Sequence, residues 1–386
     1  MPYYKPLKKI IPSDRNRIID GLQRLRKQFE NVKFPIKQMS SSLILGTWNI
    51  RNFDDDRFNY GPRLTESLYY IAEIISRFDV IAVQEICVDL WPLKEIIKIL
   101  GANYDYIVTD VTHSSIGGNQ ERLGFIYDKD KVRFLGVAGE IVLPDRLMIS
   151  KASGGKRQFS RTPFGAEFQS GWFKFYFSTV HIYFGSNSRN TPQYKRRVDE
   201  IKSIARYLAK EAKNSDSNHI LVGDFNIKAR GSDGFNALED NGFKTVKNCR
   251  GSNRDQTKFY DQISFRSKKN ELVLLEPHRD DRVIQFFDSI FREKDFTIYK
   301  PVLKKLIREK LKIAKELLET ETAKRKKEKL EKQIESLNEA ISSEASLNEY
   351  YLEWRTFQAS DHLPLWVEIE IDFSDQYLEY LKTFEL

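Results

Sequence analysis

Short apolar runs alternate with helical patterns along most of this chain, and that alternation limits its possible folds more than any other feature. Leu43–Trp48 and Asp79–Gln84 read as buried strands, with an amphipathic helix over Leu64–Phe78 between them. Leu90–Leu100 reads as a helix stopped by Gly101. Strands are then expected at Tyr104–Thr109, Leu123–Tyr127, Val132–Val137, Gly165–Phe168 and Trp172–Phe184. A charged helix over Pro192–Lys213 precedes strands at His219–Val222, Tyr260–Phe265 and Leu363–Ile371. Many strands with helices between and outside them predict an α/β fold, a four-layer sandwich of two packed mixed sheets flanked by helices. The 386 residues supply ample core for such a fold, and 26 Phe, 18 Tyr and 5 Trp exclude a disordered chain despite 31% charged residues. Every apolar run falls far short of the ~18 residues of a membrane span. Residues 1–9 show neither the apolar core nor the cleavage site of a signal peptide. Cys87 and Cys249 stand far apart and in no metal-ligand spacing, so neither a disulfide framework nor a zinc ribbon is expected. The expectation is an intracellular, cytoplasmic protein with no membrane partner.

Two segments stand outside the alternation. Residues 1–40 hold ten Lys/Arg against three Asp/Glu, while the rest of the chain nearly balances, so the net charge of +8 belongs to a basic amino-terminal arm. Such an arm suits phosphate contact. It equally suits a helix packed on the body, because Ile18, Leu22, Leu25 and Phe29 share one helical face. The body, 41–386, reads as the catalytic domain. Between Pro301 and Pro364 there is neither Gly nor Pro, and Lys, Glu and Leu dominate. Leu330, Ile334, Leu337 and Ile341 recur at coiled-coil spacing, with a looser stripe of Leu303, Leu306, Ile313 and Leu317 before them. Because strands precede and follow, an inserted α-helical hairpin within 300–350, turning somewhere in 319–329, is the economical geometry. Its seam over 303–345 offers a surface for a partner protein or for self-association.

Polar residues cluster at the ends of the expected strands. His181 ends FYFSTVHIYF and His362 stands in SDHLP; Asn49 follows TW, Glu85 ends AVQE, Asp224 and Asn226 close LVGDFN, and Asp261 opens YDQI. An Asp or Asn after a strand is ordinary turn chemistry on its own. Six strand ends of this kind in one sandwich point to a shared site. The chemistry that fits is attack on a phosphodiester. Glu85 with Asn49 makes an oxygen site for Mg²⁺. Asp224 can orient or deprotonate water, Asn226 can hold it, and an imidazole paired with a carboxylate can give a proton to the leaving oxygen. Arg51 and Arg161 offer planar forks for phosphate oxygens.

The ordered set TWNIRNF, VQE, QERLGFIYD, FSRTPF, STVH, GDFN, YDQI and SDHLP resembles the endonuclease/exonuclease/phosphatase superfamily, and within it the deoxyribonuclease I-like branch. It is similar also to a bacterial group with the same amino-terminal arm and a WRTxQxSDHLPLW ending. The resemblance covers roughly 43–266 and 353–372. It implies that Asn49, Glu85 and Asp361 hold the metal, Mg²⁺ with Mn²⁺ as a substitute. It also implies two couples, His181 with Glu121 and His362 with Asp261. Asp224 and Asn226 would place water and phosphate, Arg51 and Arg161 would bind phosphate, and Tyr260 would neighbour the scissile group. Where the secreted nucleases carry an arginine two residues after the metal-binding glutamate, this chain has Cys87. The activity implied is a metal-dependent phosphodiesterase, a nuclease with DNA favoured over RNA. The alternatives are a phosphatase or diesterase of a small phosphorylated metabolite or lipid headgroup, and a scaffold that uses the hairpin.

Overall fold

Val, Ile and Phe fill the apolar runs, and β-branched and aromatic side chains suit a pleated, buried surface. The runs accordingly form strands in the computed structural model, which describes residues 2–112, 118–151, 153–267, 272–276 and 281–383. In chain order the strands are β1 (Ser42–Phe53), β2 (Val80–Ile86), β3 (Tyr104–Val108), β4 (Arg122–Asp128), β5 (Arg133–Glu140), β6 (Ile149–Ser150) and β7 (Lys156–Arg157). They continue with β8 (Phe164–Ser170), β9 (Phe173–His181), β10 (Asn218–Asp224), β11 (Lys244–Thr245), β12 (Asp261–Arg266), β13 (Leu274–Leu275) and β14 (Leu365–Glu370). One sheet has the order β13-β14-β1-β2-β4-β3 and the other β11-β12-β10-β9-β8-β5. Both are mixed: β1 and β2 run parallel, as do β9 and β10, and their other neighbours run antiparallel. The expected α/β sandwich is therefore the fold. β14 begins only after Pro364, which has no N–H to give to a ladder.

The sheets meet face to face over a phenylalanine-rich core. Phe125 lies 5.2 Å from Phe164 and 5.0 Å from Phe177 between ring centres, and all three are buried. Each such side chain contributes about 1.5–3 kcal/mol relative to exposure. Outside the first sheet lie α1 (Pro12–Asn31), α2 (Thr65–Ile75) and α3 (Trp91–Leu100); outside the second lie α4 (Pro192–Glu211) and α5 (Asp233–Glu239). The basic arm is largely α1, packed on α2 through Ile18, Leu22, Leu25 and Phe29. Gly21 permits that contact, since a Cβ there would meet the Tyr70 hydroxyl at 2.1 Å. Part of the arm's charge is spent internally: Arg17 pairs with Glu66 at 2.7 Å and Arg26 with Glu73 at 2.9 Å.

The insertion is present as α6 (Phe296–Thr320), α7 (Lys324–Ser342) and α8 (Glu344–Gln358), with α9 (Ser374–Lys382) closing the described chain. The link between α6 and α7 falls at 321–323 without Gly or Pro. Glu321 makes the turn, its Oε1 accepting from the N–H groups of Thr322 and Ala323 at 2.9 Å each. Two expectations need correction. The buried stripe of α6 is Leu303, Ile307, Leu311 and Ala314, while Ile313 and Leu317 are about half exposed. The hairpin also does not stand free of the body. Leu303, Ile307, Leu337, Tyr351 and Trp354 belong to the main core, because α8 returns the chain against β1 and carries α6 with it.

Two outcomes follow from this packing. Leu303→Ala or Ile307→Ala is expected to cost about 2–5 kcal/mol in urea denaturation, whereas Ile313→Ala or Leu317→Ala should stay within about 0.5 kcal/mol. Equal losses at all four positions would place the stripe wrongly. His219 in β10 is buried with neither ring nitrogen hydrogen-bonded, and burial pushes its imidazole down to about 4. The unfolded chain takes up that proton near 6.5, so the contribution to stability is full above about 6.5 and is lost as pH falls toward 4. His219→Phe should remove on the order of 2 kcal/mol from the stability difference between pH 7 and pH 5. The same difference in both proteins would exclude His219 as its source.

Candidate active site

Strand register builds the site. Asp224 at the end of β10 stands level with His181 on β9 and with Asp261 on β12, so three functional residues form a row across neighbouring strands. The glycine of GDFN makes this possible: Gly223 has φ +129°, and a Cβ there would lie 2.1 Å from the Val180 carbonyl oxygen. On the opposing sheet, β1 and β2 lose register between Asn49 and Phe53, and β2 and β4 between Val83 and Ile86. Bulges of this kind re-aim side chains at sheet ends. Glu85 sits in the left-handed region at φ +62°, which breaks the strand alternation, and its Oε2 accepts from Asn52 N–H at 2.8 Å.

At the site, the Asn49 amide bridges the two sheets. Asn49 Nδ2 donates to Glu85 Oε1 at 2.9 Å and to Asp224 Oδ2 at 3.2 Å. Around it lie two acidic groups, each with a histidine: Glu85, Glu121 and His181, and Asp224, Asp261 and His362, every ligand atom of a group within 4.8 Å of the others. His362 Nδ1 meets Asp261 Oδ2 at 2.8 Å, and its Nε2 faces Asp224 Oδ2 at 3.8 Å. His181 Nδ1 lies 3.0 Å from Glu121 Oε2, off the line of an aligned hydrogen bond. His181 Nε2 faces Asp224 Oδ2 at 3.5 Å and Glu85 Oε1 at 3.9 Å. Glu121 also accepts from Arg161 Nε at 2.6 Å.

The charges respond to this crowding. Burial alone would raise Glu121, but His181 and Arg161 hold it down to about 2. Burial, then the neighbouring Glu121, pushes Glu85 up. Burial also raises Asp224, against the opposing pull of His362 and His181. For His362 burial works to lower the imidazole, yet Asp261 and Asp224 carry it well above its ordinary value. His362 therefore holds its proton between two carboxylates.

The other expected residues divide. Tyr260 lies beside His362, ring centres 5.5 Å apart. Asn226 is bound into the scaffold, its Nδ2 donating to Ile182 O and its N–H to Asp224 Oδ1, both at 2.8 Å. Asp361 is close enough to act on Glu85 and His362 but belongs to neither group of converging ligands. Arg51 turns to α8, where its Nη1 donates to Thr356 Oγ1 and lies 3.7 Å from Glu353. Cys87 is buried with Arg57 Nη2 at 3.9 Å, so a guanidinium from the loop after β1 stands beside that position. Sequence reasoning missed Ser360, whose Oγ donates to Asn49 O at 2.6 Å and accepts from His362 N–H at 3.0 Å. It missed Arg197 as well, although an arginine between Tyr194 and Ile201 on the apolar face of α4 was a readable signal.

Asn49 Oδ1 is buried and has no hydrogen-bond partner. An orphaned amide oxygen beside a carboxylate is a hard, oxygen-only donor pair, which fits a divalent cation of the Mg²⁺ type. Of the nearby carboxylates, Glu121 is already committed to Arg161 and His181, which leaves Glu85 as the strong anion of the pair. Asp261→Asn is expected to lower the His362 titration midpoint by at least about one pH unit, followed by NMR of the ring nitrogens. An unchanged midpoint would mean that Asp261 is not what retains the proton.

Comparison with curated proteins gives no match. Among solved structures, a protein of the endonuclease/exonuclease/phosphatase family from Bacteroides thetaiotaomicron is 17% identical, covers 86% of this chain and 99% of its own, and superposes with a TM-score of 0.49. The mannosyl-6-phosphatase Bt3783 of the same organism is 19% identical over 60% of this chain and 87% of its own, with a TM-score of 0.44. The human Nocturnin catalytic domain with bound sulfate is 12% identical over 62% and 90%, with a TM-score of 0.43. The family model for endonuclease/exonuclease/phosphatase proteins matches residues 46–268, more than half of the chain. The protein thus belongs to the endonuclease/exonuclease/phosphatase family and is a metal-dependent phosphoric ester hydrolase.

Proposed function

We propose that the protein is a Mg²⁺-dependent phosphodiesterase that cleaves DNA. The observation that carries this reading is the level row of His181, Asp224 and Asp261 facing Asn49 and Glu85 across the join between the sheets. Asp224 is the group placed to orient and deprotonate water. Its Oδ2 is shared by Asn49 and both histidines, while Asn226 N–H fixes its Oδ1. His362, with its proton retained by Asp261, donates to the phosphoryl or leaving oxygen as charge develops there. Glu121, itself anchored by Arg161, orients His181 from behind. Asn49, Glu85 and Asp361 would hold Mg²⁺ or Mn²⁺, whose charge when bound offsets the negative charge of the phosphoryl oxygens.

DNA is preferred as substrate because the QERLGF and FSRTPF motifs supply the Glu121–Arg161 pair behind His181, and because the arm keeps exposed lysines such as Lys8 and Lys9. A scaffold that had lost its chemistry would be expected to lack at least one of these polar residues, and all are present.

The test is hydrolysis of plasmid DNA, RNA and bis-p-nitrophenyl phosphate with Mg²⁺ or EDTA. His181→Ala, His362→Ala and Asp224→Asn are each expected to slow the reaction at least ~10²-fold with the fold retained. Glu85→Gln should shift the Mg²⁺ titration to higher concentration. Full activity in EDTA, or near-normal turnover by either histidine variant, overturns the mechanism.

A further inference from the structure

Beyond the ends of β10 and β12 two loop segments run side by side. Phe225 N–H donates to Tyr260 O at 2.9 Å, and Phe259 N–H to Lys228 O at 3.4 Å. This pairing brings Lys228 and Lys258 together on the two loop segments that continue from Asp224 and lead into Tyr260 and Asp261, and both side chains keep access to solvent. From α4 comes Arg197, buried and anchored by its Nη1 to the Phe184 carbonyl at 2.7 Å, and close enough to act on both Asp224 and Tyr260. Neither lysine makes an ion pair among the described residues. Burial and then the like charges of Lys258 and Arg197 lower Lys228, so these cations feel one another without a counter-charge between them. The nearby carboxylates cannot serve, because Asp224 and Asp261 are shared with the two histidines. Most basic side chains around the rest of the site are paired or bonded: Arg161 with Glu121, Arg57 with Asp55, Arg51 with Glu353. An unneutralised pair of flexible ammonium groups at the lip of such a site is a place for an anion to bind.

We propose that Lys228 and Lys258, backed by Arg197, form a second anion subsite that binds the phosphate next to the one attacked on a nucleotide chain. The inference rests on the phosphodiesterase reading above and adds to it. The subsite makes the enzyme prefer a diester with a phosphate neighbour over an isolated diester. It also gives the catalytic face, beside the amino-terminal arm, a share in the selectivity for polynucleotides.

The experiment compares the thymidine dinucleotides TpT, pTpT and TpTp, together with bis-p-nitrophenyl phosphate, in the wild-type protein and in Lys228→Gln/Lys258→Gln. For the wild type, kcat/KM for one of the two phosphorylated dinucleotides should exceed that for TpT by about tenfold. The favoured end reports on which side of the scissile bond the subsite lies. In the double variant that advantage should fall below about twofold, and Lys228→Arg/Lys258→Arg should retain it. Equal rates on all three dinucleotides, or an advantage that survives the glutamine variant, overturn the subsite while leaving the phosphodiesterase intact. Failure to hydrolyse any diester, bis-p-nitrophenyl phosphate included, overturns both.

Discussion

Negative charge taken out of water is the constraint on which the site depends. Glu85, Glu121, Asp224 and Asp261 converge within two neighbouring groups, and three of the four are almost wholly buried. At such distances and in a poorly polarisable interior, their mutual repulsion would open the sandwich edge if nothing opposed it. Two histidines and the Asn49 amide, each shared between carboxylates, supply the opposition, with Arg161 committed to Glu121 alone. The sharing demands strict register. A slip of one residue along β9 or β12 would turn His181 or Asp261 to the other face of the sheet. The Phe125–Phe164–Phe177 core, far from any chemistry, thereby enforces the alignment that keeps the charges compensated.

The helical insertion belongs to the same balance. Its three helices meet the loop after β1 from one side: Lys310 of α6 pairs with Asp56, Gln333 of α7 donates to Asn59 Oδ1 at 3.1 Å, and Tyr350 of α8 donates to Asn59 O at 3.1 Å. That loop carries Arg57, which lies 3.9 Å from Glu121, and it follows directly on the end of β1, where Asn52 is the backbone donor to Glu85. The insertion thus braces a loop that reaches the site, while much of its own outer face, Ile313 and Leu317 included, stays exposed.

Much of this was legible in the sequence, for a physical reason. Buried strands must be apolar and their last residues need not be, so a polar residue that closes an apolar run stands out, as His181, Asp224 and Glu85 do. Contacts set by a turn of helix or by backbone conformation did not stand out. Leu306 and Ile313 fit a helical stripe on paper as well as Ile307 and Leu311, and only the direction from which β1 and α8 approach selects the second pair. Glu321 made a helix break without Gly or Pro by turning its carboxylate onto the backbone N–H groups of Thr322 and Ala323 in the link itself, local hydrogen bonds that composition does not reveal. Ser360 was visible inside SDHLP, yet its service to Asn49 and His362 exists only because the last strand returns beside the first.

That return has a temporal meaning. β14 pairs antiparallel with β1, Ser42 opposite Glu370, across nearly the whole chain. A ribosome that has released residues through 352 has delivered Asn49, Glu85, Glu121, His181, Asp224 and Asp261, but neither Asp361 nor His362. The nascent chain then lacks the histidine that faces Asp224 and Asp261 and the strand that pairs with β1 on its antiparallel side. A chain cut before residue 361 thus has an unpaired β1 edge and an Asp261 without its histidine.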